Sequence, residues 1–144
     1  MPRAEEFDPS AVLAEQTVTL PTSPQDEVTW GVLSLRVQGQ TMTLRMAVTP
    51  RFGTVGADGV VSLFDCLQRS AFRPVLVDLD NLKEYSVIGS APSRWSSDAA
   101  SSRVRNGHPM FVWAVYAAPE DDIDTITLRV ADWWPPIVDV PIER

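Results

Sequence analysis

The chain has 144 residues, 44% hydrophobic and 22% charged, with a net charge of −7 and a single cysteine. That length suits one domain able to bury a core without disulfides or metal. The acidic balance argues against a nucleic-acid or anionic-membrane partner, a lone thiol excludes an internal disulfide, and no window is apolar enough to span a bilayer.

Residues 1–16 read as a flexible or short helical segment. Asp8-Pro9 before Ser10 to Glu15 resembles a helix N-cap with proline at the first position, although Thr17 to Leu20 already has strand character. The domain proper is expected over residues 17–144. After a turn at Pro21 to Asp26, Val28, Trp30 and Val32 share one parity, whereas Leu33, Leu35 and Val37 take the other. Such a switch beside Gly31 predicts a β-bulge. Gln38-Gly39-Gln40 then predicts a hairpin into Thr41 to Val48, where Met42, Leu44, Met46 and Val48 alternate with smaller or polar residues.

Pro50 to Gly59 reads as loop, followed by a strand at Val60 to Leu63. Phe64 to Arg73 reads as a short helix or an irregular crossover. Strands are expected at Pro74 to Asp78 and Glu84 to Ile88, with a mobile surface loop from Gly89 to Arg105. Met110 to Ala118 is apolar at every position and reads as a strand buried on both faces, with Trp113 in the core. Thr125 to Val130 and Pro136 to Ile142 alternate and complete the set. No long helical periodicity appears, so the expectation is an all-β fold, an antiparallel sandwich of about eight or nine strands.

Three groups of residues invite a functional reading. Asp121, Asp122 and Asp124, joined by Asp78 and Asp80 if two turns meet, offer the oxygen ligands that calcium requires. Against that, Asp and Asn form turns in their own right. Trp133 and Trp134 precede Pro135-Pro136. Adjacent strand residues point to opposite faces, so one ring is expected inside and the other near the surface. The outer ring then serves a protein or carbohydrate contact, or covers the open end of the fold. Trp95, in the serine-rich loop, is a further contact candidate. His108 is the only histidine and lacks triad partners, while Cys66 sits among apolar neighbours as a structural thiol. Nothing in the sequence nominates catalytic residues or a cofactor.

The segments Arg73 to Asp78 (RPVLVD), Asn81 to Tyr85 (NLKEY), Asn106 to Pro119 (NGHPMFVWAVYAAP) and Pro135 to Ile142 (PPIVDVPI) resemble modules of actinobacterial envelope proteins. Such modules are immunoglobulin-like and often precede a peptidoglycan-binding domain of the outer-membrane-protein-A type. The segments are also similar to immunoglobulin-like domains of unknown function in secreted bacterial lipoproteins. The resemblance covers Val28 to Ile142 and rests on strand and turn residues, so it implies a fold and a location but no catalytic position. It implies a non-enzymatic binding or spacer module that contacts a protein or wall partner as part of a longer exported chain. A start at Met1 would instead imply a cytoplasmic protein. A calcium- or small-ligand-binding module is the alternative, and a small enzyme a third.

Overall fold

The computed structural model describes residues 12–89 and 93–144. They form ten strands and one short helix. In chain order these are β1 (Ala14–Leu20), β2 (Ser23–Gln38), β3 (Thr41–Phe52), β4 (Val60–Ser62), α1 (Leu63–Cys66), β5 (Val75–Asp78), β6 (Lys83–Tyr85), β7 (Arg103–Arg105), β8 (Met110–Ala117), β9 (Thr125–Arg129) and β10 (Ile137–Pro141). Two four-stranded sheets, ordered β1-β2-β3-β8 and β10-β9-β5-β6, are accompanied by a β4-β7 ribbon. Every strand pairing is antiparallel. The all-β expectation therefore holds, with ten strands where eight or nine were counted.

Alternation drives the first sheet. Val28, Trp30, Val32, Leu35, Met42, Leu44, Met46 and Val48 are fully buried, and each side chain of this size stabilises by about 1.5–3 kcal/mol when removed from water. The change of parity in β2 is a true bulge. Val32 pairs with Met46 and Ser34 with Arg45, so Leu33 is the extra residue, and Leu35 returns to the core opposite Leu44. Gln38 faces Thr41 across a two-residue turn whose first residue, Gly39, has φ +63°, a conformation that glycine adopts without steric cost.

Several expectations are corrected. The N-terminal helix partly falls outside the described residues, but Ala14 and Glu15 are already strand, paired with Val32 and Gly31. The loop predicted from Pro50 begins later, because β3 continues to Phe52. Proline is tolerated there because the Pro50 carbonyl accepts from the Gly107 amide at 2.7 Å, away from β2. A strand residue's N–H and C=O point the same way, so the missing donor interrupts no β2–β3 bond.

Strand β8 is not buried on both faces. Met110, Val112, Ala114 and Tyr116 point inward, whereas Phe111 and Trp113 lie on the outer face at 38% and 43% exposure. Trp113 is therefore not a core residue. The run is apolar throughout, but a strand's side chains alternate whatever their polarity.

The predicted Glu84 to Ile88 strand is shorter and shifted, at Lys83–Tyr85. The stretch from Gly89 to Arg105 is not a free loop where it is described. Trp95 donates its amide to the Ile88 carbonyl and accepts from the Val115 amide, both at 2.9 Å, so residues 95–97 run beside β8. Ser97 continues that pairing by donating to the Trp113 carbonyl, Ala99 is buried, and β7 closes the segment against β4. Helix α1 is held by a capping box in which Ser62 and Asp65 exchange side-chain-to-backbone hydrogen bonds.

Both large sheets and the ribbon contribute to one hydrophobic core. Tyr116 of β8 crosses it, with its hydroxyl donating to the Pro74 carbonyl at the entrance to β5. Burial raises the phenol far above its usual pKa, so it stays a neutral donor. Asp26 is a second buried polar anchor, accepting from the hydroxyls of Ser23 and Thr54 and from the Thr54 amide.

Candidate binding cleft

The turn between β9 and β10 carries the tandem tryptophans. Trp134 is 3% exposed and meets Trp30 edge to face, with centroids 4.8 Å apart at 85°. Trp133 stacks on Trp134 at 4.6 Å and 14° and is 38% exposed. One ring is inside and one outside, as expected, but Trp134 is not a contact residue. The rings overlie each other because the pair sits in a turn, closed by the Trp134 amide on the Ala131 carbonyl, where strand alternation does not apply. Pro135-Pro136 then leads into β10 with restricted backbone freedom. The buried partner pins the outer ring.

Trp133 lines a half-open cleft of about 530 Å³. It lies where β9 ends beside the start of β5, with Val75 and Arg129 paired at its floor. Arg73, Arg94 and Arg129 line the same cleft, together with Ser86 and Asp132. Arg94 is placed by the pairing of Trp95 with Ile88. Gly89, next to Ile88, has φ +85°, and a Cβ there would stand 2.7 Å from the Ser93 carbonyl. Arg129 lies 3.7 Å from both Glu84 and Asp132, distances at which ion pairs are weak. Among the described residues, neither Arg73 nor Arg94 has an ion-pair or side-chain hydrogen-bond partner. A protein of net charge −7 thus gathers three guanidinium groups against one carboxylate around an aromatic face.

Trp95 is 49% exposed but does not line this cleft. The next residue along a paired segment points the other way, so Arg94 faces the cleft and Trp95 does not.

The five aspartates of the calcium reading are engaged or dispersed. Asp78 is buried at 3% exposure and accepts from the Asp80 and Asn81 amides and from Asn81 Nδ2. The Asn81 side chain, with those amides and Lys83, holds its carboxyl below the ordinary range. Asp121 accepts from Lys83 Nζ at 2.6 Å, and that contact raises the lysine pKa. The two turns do meet, but the chain's own ammonium stands between them. Asp80, Asp122 and Asp124 are exposed, and among the described residues no three such side chains gather as a metal site.

Cys66 is fully buried, and burial pushes its thiol up to about 12. His108 is exposed in the turn before β8. The cleft arginines were missed by sequence reasoning, because positions 73, 94 and 129 share no spacing. The sequence carries only a compositional trace of them, in that Lys83 is the single lysine among 12 basic residues. Comparison of the chain with protein-family models, with curated proteins and with solved structures finds no match.

Proposed function

We propose that the chain is a non-enzymatic binding module of a bacterial cell-envelope protein, built as an immunoglobulin-like β-sandwich and carried within a longer exported chain. Two four-stranded antiparallel sheets over one core support the architecture, and the envelope-module resemblance of residues 28–142 supports the location. The observation that carries the function is Trp133, half exposed at the cleft and stacked on a buried partner. An aromatic ring fixed before its ligand arrives loses little conformational freedom on binding, which is the usual property of an anchoring residue. Cys66 is buried with its thiol raised to about 12, which counts against catalysis by that thiol.

The test is retention of the protein on an isolated actinobacterial envelope fraction. The protein should sediment with the fraction, and Trp133→Ala should release it while the fold, read by circular dichroism, persists. Retention that is unchanged by Trp133→Ala would remove this surface from the function.

A further inference from the structure

We infer that the Trp133 cleft binds an anionic sugar, a pyranose ring bearing a carboxylate or phosphate. This rests on reading the cleft as the binding surface and adds the chemistry of its ligand. One face of the Trp133 indole is covered by Trp134 at 4.6 Å, and the ring, 38% exposed, lines the cleft. A flat aromatic face matches the C–H face of a pyranose, an apolar surface on an otherwise polar molecule. Around it, Arg73 and Arg94 offer planar forks of N–H donors that no carboxylate of the described residues engages. Guanidinium groups match carboxylate and phosphate oxygens in bidentate geometry. Ser86 adds a hydroxyl able to donate to or accept from a sugar hydroxyl. A volume of about 530 Å³ falls within the range of small-ligand sites.

Other anionic ligands fit less well. The cleft opens at strand ends, not along a strand edge, so it lacks the row of free backbone groups that captures extended acidic peptides. Helix α1, at four residues, does not line it, so no helix N-terminus is present to cradle a polyphosphate. The overall charge of −7 opposes a long polyanionic nucleic acid while leaving a local anion site intact.

Isothermal titration with defined probes tests this. Oligogalacturonate represents a carboxylated glycan and glucose 6-phosphate a free sugar phosphate. Uncharged maltotriose, a poly-glutamate peptide and AMP are the comparisons. At least one charged sugar should bind roughly tenfold or more tightly than maltotriose, the peptide or AMP, with affinity falling as salt rises. The oligomer binding better points to a polymeric glycan, and the monosaccharide binding as well points to a free metabolite. Arg73→Ala and Arg94→Ala should each weaken binding by roughly tenfold, the loss of one charge-assisted hydrogen bond. Arg94→Lys should recover only part, because it keeps charge but not the fork. Equal binding of maltotriose, preference for the peptide or AMP, no binding of either charged sugar, or indifference to both arginine substitutions would overturn the inference. Envelope retention that still depends on Trp133 in those cases leaves the binding-module reading standing.

Discussion

The hydroxyl of Tyr116 donates a 2.8 Å hydrogen bond to the main-chain carbonyl of Pro74, joining β8 of one sheet to the entrance of β5 in the other. Pro74 lines the cleft beside Arg73, so the bond fixes the cleft floor from within the core. Tyr116→Phe keeps the packing and leaves a buried carbonyl without a donor. That should cost about 1–3 kcal/mol, seen as a lower urea midpoint with an unchanged slope.

The stacked tryptophans should separate cleanly by substitution. Trp134→Ala removes a ring packed against Trp30 and should destabilise by about 3–5 kcal/mol. Trp133→Ala removes a half-exposed ring and should cost about 1 kcal/mol or less, since surface changes are small. Trp134→Phe should be milder than the alanine change. It keeps an aromatic beneath Trp133 and removes an indole N–H that is buried without an acceptor. Chemical denaturation of the three variants checks the order, and equal losses at both positions would contradict the stacked arrangement.

Much of this geometry follows from patterns visible in the chain. The bulge at Leu33 and the hairpin at Gly39 were legible because local parity and a local glycine set them. The placement of Trp113 was not legible. In a strand where every residue is apolar, composition hides which parity faces the core, and only the partner sheet decides it. The tandem tryptophans were read with strand geometry although a turn holds them, so the exposed and buried rings were told apart only by the fold. The cleft was invisible because its three arginines come from the entrance to β5, the segment beside β8 and the end of β9. Tertiary structure alone gathers them.

Acid should act through Asp26. Burial works to raise its pKa, but the hydroxyls of Ser23 and Thr54 and the nearby amides outweigh it, so the folded value lies below the ordinary one. A depressed carboxyl contributes stability that is present above the unfolded pKa, near 4, and is lost as pH falls through the folded value. Asp26→Ala should lower stability at pH 7 by about 1–3 kcal/mol and flatten the acid limb of the stability curve. An acid limb unchanged in the variant would assign the loss elsewhere.

Base should act through Cys66. The folded thiol titrates at about 12 while the unfolded thiol ionises near 9, so only the unfolded state releases its proton between those values. Stability should therefore fall by up to about 1.4 kcal/mol per pH unit above pH 9, joined by Tyr116 as its own unfolded value near 10 is passed. Cys66→Ala should remove the first part of that decline and leave the second. Alkylation by iodoacetamide at pH 8 should be slow in native protein and fast in urea; rapid native labelling would mean the thiol is reachable.

Glu143 pairs with β2 as well as lying just beyond β10. Its amide donates to the Leu35 carbonyl and its carbonyl accepts from the Val37 amide, both at 2.8 Å, while its carboxylate holds Arg36 across 107 positions of chain. Contacts so distant in sequence form late, because a long loop must close before they are gained. The β1-β2-β3 meander needs only short turns, whereas the cleft draws its walls from residues 70 to 133. Folding should thus be slow for this size, with the meander protected first in pulse-labelled hydrogen exchange and the β5–β9 amides last. During synthesis or refolding, the molecule would own a scaffold before it owned a place to hold anything.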